Sequence, residues 1–211
     1  MRRRGAATSS SLGLSVSHPI VIVPYRASWA TEFAVLSDRL RSALGPLALR
    51  VEHIGSTSIA GLAAKDVIDI QVSVSALDHH VSHSLTSIGF RLDPSKSRDH
   101  VPPGATHAVE EWQKMFFVET RGDRRANIHV RAAGRLNERY SLLFRDYLRA
   151  CPRVAEAYAE LKRRLSVSLA VADDFADVKD PAVDLIYLAA EQWAAATDWT
   201  LPPLAAVKRE V

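Results

Sequence analysis

The chain has 211 residues, a single cysteine and a formal net charge of +3 at pH 7, and 47% of its residues are hydrophobic. One cysteine excludes an intrachain disulfide framework, and no apolar run approaches the roughly 18 residues that a transmembrane helix requires. A small positive excess suits an anionic small molecule, whereas binding to nucleic acid usually requires a concentrated basic face. We therefore expect a globular protein that neither spans a membrane nor binds nucleic acid.

The composition along the chain predicts four parts. Residues 1–18 are rich in Ser, Arg, Ala and Gly and are expected to form a disordered leader. An α/β core is expected over 19–135, a helical part packed on it over 136–198, and a tail over 199–211. The leader contains an arginine cluster but no apolar stretch long enough for a secretory signal, so the expected location is the cytoplasm.

The first two-thirds of the chain predict a mixture of strands and helices. A strand is indicated by a β-branched run or by alternation with period two, and a helix by apolar residues three and four positions apart. In chain order these patterns predict a strand over 20–23, a helix over 29–44 capped by Ser28 and ended by Gly45, strands over 47–54 and 67–74, and a helix over 77–88. A proline-rich loop follows over 93–106, and loops of this length are often lids or binding loops. Two more strands, over 114–120 and 127–132, are joined by a turn at 121–123.

The last third predicts helices alone. Leu142, Leu143, Tyr147 and Leu148 form a helical stripe, Pro152 is suited to the first turn of the next helix, and a last helix is expected over 182–196. Strands and helices followed by helices alone are typical of an α+β protein. The prediction is a mixed β-sheet with flanking helices and a C-terminal helical layer.

One short segment carries the residues expected to bind a ligand. Gly55, Ser56 and Thr57 follow a predicted strand, where a glycine and small hydroxyl side chains leave backbone N–H groups open to a phosphate. Asp69 on the next strand is suited to hold Mg²⁺ against the same phosphates. Lys65 lies between them in the chain and can reach a phosphate oxygen as a point charge. This combination predicts a binding site for a nucleotide.

The segment is not a Walker A loop, because five residues separate Gly55 from Gly61 and no Gly-Lys-Ser/Thr follows. Its spacing resembles the nucleotidyltransferase superfamily, in which apolar-Gly-Gly/Ser is followed, after a spacer, by Asp-apolar-Asp/Glu-apolar. The segment from His53 to Ile70 is similar in more detail to the GrpB family, a branch of that fold. The similarity extends to Tyr25, Trp29, Asn127-Ile128-His129-Val130, Leu143 to Arg149, Pro152, Tyr158, Leu161-Lys162 and Lys179.

This resemblance implies a nucleotidyltransferase-like fold with a helical C-terminal part. Some members of the family are fused to dephospho-CoA kinase, but no residue of this chain supports kinase activity. The expected catalytic residues are Asp69, His129 and Lys65, and Asp69 and Gln71 are the expected ligands of Mg²⁺. The residues expected to bind ATP or another nucleoside triphosphate are Gly55, Ser56, Thr57, Lys65, Arg124, Asn127, Arg131 and Arg145.

Two departures from the pattern bear on catalysis. Gln71 stands where an active nucleotidyltransferase carries a second acidic residue, and a carboxamide supplies no charge for two-metal catalysis. A third carboxylate is expected on a later strand, but the strand over 127–132 presents Asn127, His129 and Arg131 on one face. These groups suit an anion better than a metal ion.

The residues leave two functions open. The first is an enzyme, a Mg²⁺-dependent transferase that moves a nucleotidyl group, such as adenylyl, to the hydroxyl or carboxylate of a small molecule. With a carboxylate acceptor it would be an ATP-dependent ligase, because an amine can capture the adenylated acid to form an amide. The second is a non-catalytic module that binds a nucleotide or another phosphorylated ligand and has lost the second acid at Gln71.

Overall fold

The computed structural model describes residues 20–122, 124–169 and 172–204. The predicted leader over 1–18, the end of the predicted tail and Asp123 of the predicted turn lie outside the described residues. In the parts of the chain that are described, no helix is both long enough and apolar enough to cross a membrane.

A five-stranded mixed β-sheet forms the centre of the molecule, with the strand order β1-β2-β5-β4-β3. Its strands are β1 (Arg50–Ile54), β2 (Ile68–Val74), β3 (Phe90–Leu92), β4 (Met115–Glu119) and β5 (Ala126–Ala132). Neighbouring strands are antiparallel except β2 and β5, which pair in parallel. Because of this parallel pair, the equivalent ends of β2 and β5 lie at the same edge of the sheet.

The described residues form these helices: α1 (Ser28–Leu44), α2 (His79–Ser87), α3 (Val109–Trp112), α4 (Leu136–Ala150), α5 (Pro152–Ser168) and α6 (Ala172–Thr197). Short 3₁₀ turns occupy Gly45–Leu47, Ser56–Ser58 and Pro94–Lys96. The predicted α+β class, with a mixed sheet, flanking helices and a C-terminal helical layer, is confirmed.

The sheet separates an apolar layer from a polar one. Ile68, Ile70 and Val72 of β2 point into a core that also contains buried residues of α1 and α2. The residues between them point to the opposite face because side chains alternate along a strand. Asp69 and Gln71 therefore lie on the face of β2 that is turned away from this core.

A second apolar cluster joins the loop that follows β1 to the C-terminal helices. Ile59, Leu62 and Ala63 of this loop pack with buried residues of α4, α5 and α6. On its other side the loop forms an isolated antiparallel bridge between Ala64 and Val23, with backbone N···O distances of 2.9 and 3.0 Å. The loop is thus fixed on both sides by structure remote in the chain.

Several predicted boundaries differ from the structure at the N-terminal end. The predicted strand over 20–23 is reduced to the bridge at Val23. The strand predicted over 47–54 begins at Arg50, because Pro46 supports a 3₁₀ turn before it. Ser28 is the first residue of α1 and does not cap it through its side chain.

Other differences concern elements that local patterns indicated weakly. The three residues of β3 and the four of α3 were not predicted, because such short segments show no clear periodicity. The last helix begins at Ala172 and continues through Pro181, whereas the prediction began it at 182. A proline removes one hydrogen bond from a helix, and here the helix accommodates that loss.

Candidate functional site

A cavity of about 190 Å³ lies where the turn after β1 meets β2, β5 and the last two helices. We call it the Asp69 cavity. Its polar lining residues are Ser56, Thr57, Lys65, Asp69, Asn127, Lys162 and Lys179, and its aromatic lining residues are Tyr158 and Phe175. The structure therefore brings together the predicted turn, Lys65, Asp69 and Asn127, and adds two lysines from the helical layer.

Gly55 brings the turn into direct contact with Asp69. Its backbone has φ +66°, a conformation that favours glycine, and a Cβ atom added there would lie 2.6 Å from Asp69 Oδ2. The Ser58 hydroxyl donates to the Gly55 carbonyl oxygen at 2.6 Å and tightens the turn. Glycine is thus required at position 55 both by the backbone angle and by the neighbouring carboxylate.

The two hydroxyl groups of the turn have different roles. The Ser56 hydroxyl oxygen accepts a hydrogen bond from Lys162 Nζ at 2.8 Å and lines the cavity. Thr57 Oγ1 lies 3.0 Å from His53 Nε2 and donates to the Val67 carbonyl oxygen at 3.3 Å. The Thr57 side chain is buried and already hydrogen-bonded, so it stabilises the turn. Ser56 is the hydroxyl that is accessible to a ligand.

Asp69 is held as an ionised carboxylate at the end of the β2–β5 pair. Asn127 is its partner in the parallel register and donates from Nδ2 to Asp69 Oδ1 at 2.9 Å. His129 Nε2 lies 3.7 Å from the same oxygen. Burial disfavours the charge, but the contacts with His129 and Asn127 and the charge of Lys179 outweigh burial and lower the pKa of Asp69.

His129 is a neutral imidazole in this arrangement. Burial is the main reason that its pKa is lowered to about 4, and the charges of Arg131 and Lys114 act in the same direction. Arg131 Nη2 lies 3.4 Å from His129 Nδ1, and because a guanidinium can only donate, Nδ1 must be the acceptor. The ring proton is then on Nε2, which faces Asp69. His129, which was predicted to be catalytic, does not line the cavity and contacts it through Asp69, at 3.7 Å from Oδ1.

Three lysines surround this carboxylate. Lys65 Nζ lies 4.5 Å from the centre of the Phe175 ring, and burial, together with the charge of Lys179, lowers the pKa of Lys65. Lys162 Nζ donates to the Ala63 carbonyl oxygen at 2.7 Å as well as to Ser56. The Lys179 side chain is 27% exposed at the rim of the cavity.

The three arginines expected to bind phosphate do not line the Asp69 cavity. Each guanidinium is held by carboxylates outside the cavity: Glu32 and Asp66 for Arg124, Asp99 for Arg131, and Glu52 and Asp146 for Arg145. Arg131 and Arg145 are also almost fully buried. A paired and buried guanidinium is part of the structure and is not free for a ligand.

Gln71, the second expected ligand of Mg²⁺, does not line the cavity either and is held by other residues. Its side chain is fully buried, and its Oε1 accepts hydrogen bonds from Arg131, at 2.7 Å, and from the Ser141 hydroxyl. Its Nε2 donates to the Glu138 carbonyl oxygen at 3.2 Å. A cation at Gln71 Oε1 would have to displace the guanidinium of Arg131.

Replacement of Gln71 by glutamate is therefore expected to leave magnesium binding unchanged. The new carboxylate would pair with Arg131 and would not turn towards Asp69, and the donor to the Glu138 carbonyl would be lost. The measurement is calorimetric titration of Mg²⁺ in the presence of ATP, with the parent protein as control. If the variant bound Mg²⁺ at least about tenfold more tightly than the parent, this expectation would be wrong and residue 71 would be a metal ligand.

The loop over 93–106 is anchored and does not form a lid over the Asp69 cavity. Asp99 accepts two hydrogen bonds from Arg131, at 2.8 and 2.9 Å, and one from Lys114 Nζ at 2.6 Å. The indole of Trp112 donates to the Thr106 carbonyl oxygen at 2.7 Å. These contacts fix both parts of the loop to neighbouring elements.

Lys162 and Lys179 were not predicted as site residues. They lie on α5 and α6, about 100 residues along the chain from the turn they face. The available signal was that both belong to the positions where the chain resembles its family. Spacing within a single segment carries no information on helices that dock from so far away.

Comparison with known proteins agrees with this architecture. The family described as "GrpB protein" matches residues 19–188. The crystal structure of GrpB from Enterococcus faecalis superposes with a TM-score of 0.67 and 26% identity, over 82% of this chain and 99% of that one.

Two curated relatives show the extent of the similarity. A UPF0157 protein of Deinococcus radiodurans is 36% identical over 149 residues, which are 69% of this chain and 69% of the relative. The dephospho-CoA kinase of Mycobacterium tuberculosis is 35% identical over 199 residues, which are 86% of this chain and 48% of the relative. The chain thus spans about half the length of the dephospho-CoA kinases it matches. With a family match over most of its length and a shared fold, the chain belongs to the GrpB family.

Proposed function

We propose that this chain binds the phosphates of a nucleoside triphosphate in the Asp69 cavity and transfers the nucleotidyl group to a small acceptor. The observation that carries the proposal is the set of three lysines around one ionised carboxylate, next to a Gly-Ser turn. Ammonium groups attract phosphate oxygens as point charges, and a glycine turn allows a phosphate to approach the backbone closely.

The charge of the lining matches such a ligand. Lys65, Lys162 and Lys179 are basic and Asp69 is the one acidic residue among the described lining residues. His129 behind Asp69 is neutral, since its pKa is about 4. The cavity therefore offers excess positive charge to a polyphosphate and one carboxylate for a cation that accompanies it.

Asp69 supplies the carboxylate that a magnesium ion shared with the ligand would need. Mg²⁺ is usually bound through one or two carboxylates together with the phosphates of a substrate. Asp69 would hold it, and the ion would neutralise charge that develops on the phosphates. Among the described residues, no group of three or more His, Cys, Asp or Glu side chains is arranged to hold a metal ion. The one carboxylate among the described lining residues suits a single ion shared with the ligand.

The residues in and around the Asp69 cavity would then have separate roles in binding and catalysis. Lys65 and Lys179 would bind the phosphates and stabilise charge on the leaving group. Ser56 would orient a phosphate through its hydroxyl, while His129 and Asn127 keep the Asp69 carboxylate in place. The acceptor would be a hydroxyl or a carboxylate, and in the second case capture by an amine would give an amide.

Replacement of Asp69 by asparagine tests this function. The amide has nearly the same size but no charge, so we expect the Mg²⁺-dependent part of ATP binding to disappear and pyrophosphate release to fall at least about 100-fold. Calorimetry with and without Mg²⁺ and a pyrophosphate assay over a panel of acceptors measure the two effects. Asp38→Asn, the same change at an exposed position of α1, is the matched control.

Thermal melts of the same variants separate a role in binding from a role in folding. The pKa of Asp69 is lowered in the folded protein, so its charge favours folding above the pKa of an unfolded aspartate, and this contribution is lost as the pH falls. The Asp69→Asn variant should therefore melt slightly lower than the parent at neutral pH. If the Asp69→Asn variant bound Mg²⁺ and ATP as tightly as the parent, Asp69 would not be part of the binding site.

One observation favours a second candidate, a module that binds a phosphorylated ligand without reacting. The position of the usual second acid is occupied by Gln71, whose oxygen is bonded to Arg131 and Ser141. Tight binding of nucleotides without pyrophosphate release, for all acceptors tested and in the presence of Mg²⁺ or Mn²⁺, would support this alternative.

A further inference from the structure

Lys162 is a buried amine between the phosphate turn and the helical layer. It is 4% exposed, and its Nζ contacts the Ser56 hydroxyl oxygen at 2.8 Å and the Ala63 carbonyl oxygen at 2.7 Å. The centre of the Tyr158 ring lies 4.8 Å away. All three partners are uncharged, and in the part of the chain that the structure describes no carboxylate oxygen lies within ion-pair distance of Nζ.

This environment disfavours the ammonium form. A buried positive charge without a counter-ion is costly, and a lysine in such a place tends to release its proton. The charged or titratable groups that face or surround Lys162 are Lys179 on α6, Lys65 on the loop after the turn, Asp69 on β2, and Arg163 and Tyr158 on α5. Burial, then the charges of Lys179 and Arg163, lower the pKa of Lys162 to about 7, although Asp69 opposes them.

We propose that Lys162 is a phosphate-binding residue that is an uncharged amine in the free protein and takes up a proton when a phosphate enters the cavity. The proposal rests on the proposed function only in that a phosphate occupies this cavity. A phosphate oxygen within hydrogen-bond distance of Ser56 would lie close to Nζ, because the two atoms are 2.8 Å apart. A negative charge at that distance favours the ammonium form, and the proton comes from the solvent.

The proton uptake gives the site a preference for anions. Without ligand, Lys65 and Lys179 do not share the cavity with a further ammonium group at Lys162, so the repulsion among the three side chains is reduced. With a phosphate bound, Lys162 becomes the third ammonium group and adds a charge-assisted hydrogen bond. A neutral ligand of similar shape would not induce the proton uptake and would therefore not form the charge-assisted hydrogen bond with Lys162.

Two measurements test the proposal. The first requires no ligand: ¹³C NMR of the protein labelled at the lysine ε-carbons should show one resonance that titrates near neutral pH, and Lys162→Arg should remove it. The second is calorimetry of Mg²⁺–ATP binding near pH 8, where the phosphates are already ionised, in buffers of different ionisation enthalpy. We expect uptake of about 0.9 proton per ATP by the parent protein, since a lysine with a pKa of about 7 is then mostly neutral.

Matched variants assign the proton. Lys162→Met should bind ATP at least about tenfold more weakly and take up no proton. Lys65→Met also loses a cation of the lining but should keep the uptake, because Lys162 is intact. The NMR titration and the calorimetry of the parent protein do not depend on whether either variant folds.

The outcomes separate this proposal from the proposed function. Lysine resonances that all titrate near pH 10, or ATP binding without proton uptake, would overturn the role of Lys162 and leave nucleotide binding in place. ATP that does not bind, with Lys162 titrating near neutral pH, would overturn the proposed function together with the coupling. Equal uptake by Lys162→Met and by the parent would assign the proton to another group and overturn the proposal.

Discussion

Asp99→Ala is expected to lower the free energy of unfolding by about 3–5 kcal/mol, the usual cost of removing one partner from a buried ion pair. The carboxylate accepts hydrogen bonds from Arg131, Lys114 and Asn137, and the Arg131 side chain is 4% exposed. Alanine would leave two cations buried next to each other without a counter-ion. Urea denaturation measures the effect, and the melting temperature should fall by roughly 10 °C in a chain of this size.

The control for Asp99→Ala is Glu160→Ala, which removes an exposed carboxylate paired with Arg163 and Arg164. Exposed ion pairs contribute little, so no measurable change in the melting temperature is expected. The pKa of Asp99 is held well below its usual range, against the effect of burial, by Arg131 and Lys114. Its contribution to stability is therefore present above the pKa of an unfolded aspartate and is lost as the pH falls. A fall no larger than that of the control would show that the Asp99 cluster does not support the fold.

The second large effect is expected for Gly55→Ala, in both stability and binding. A Cβ atom at this position meets Asp69 Oδ2 at 2.6 Å, and the backbone has a positive φ. Strain and overpacking together should cost about 2–4 kcal/mol. Displacement of the carboxylate should weaken binding of Mg²⁺–ATP at least about tenfold, or about 1.4 kcal/mol.

Gly61→Ala is the matched control, because Gly61 also has a positive φ but a Cβ atom there would meet nothing within 4 Å. It should show only the cost of the backbone angle, about 1–2 kcal/mol, with ATP binding unchanged. The two variants therefore separate backbone strain from contact with Asp69. Equal affinity for ATP in both variants would contradict the contact as a determinant of the site.

Four of the five strands, and the face of β2 on which Asp69 lies, were predictable because both depend on local patterns. Alternation along β2 correctly separated Ile68 and Ile70 from Asp69, since side chains of a strand point to opposite faces in turn. The same reasoning placed Asn127 and His129 on one face of β5, and the parallel register sets Asn127 beside Asp69. Local periodicity was sufficient wherever a strand has one apolar face.

The partners of the arginines and the position of Lys162 were not predictable in this way. The sequence gives the charge of an arginine but does not identify the carboxylate that it pairs with. Arg145, for example, pairs with Glu52, which lies on a strand 93 residues earlier in the chain. Conversely, Lys162 lies in a helix rich in charged residues, and the helical pattern does not distinguish it from the exposed Arg163 and Arg164. Only the docking of α5 against the turn decides which of these side chains is buried beside Ser56.

The loop between Ser58 and Ala64 has a thermodynamic consequence for ligand binding. Because Ile59, Leu62 and Ala63 are packed under the C-terminal helices and Ala64 is bridged to Val23, the conformational entropy of this segment is lost when the chain folds. A ligand that binds to the turn then meets a preorganised backbone and does not have to order it. Affinity and fold stability are therefore linked. If a substitution loosened the contact between the loop and the helices, the loop would have to become ordered when the ligand binds, and this loss of conformational entropy would weaken binding. A variant with a loosened loop would lose its affinity for the ligand at temperatures where the β-sheet is still intact.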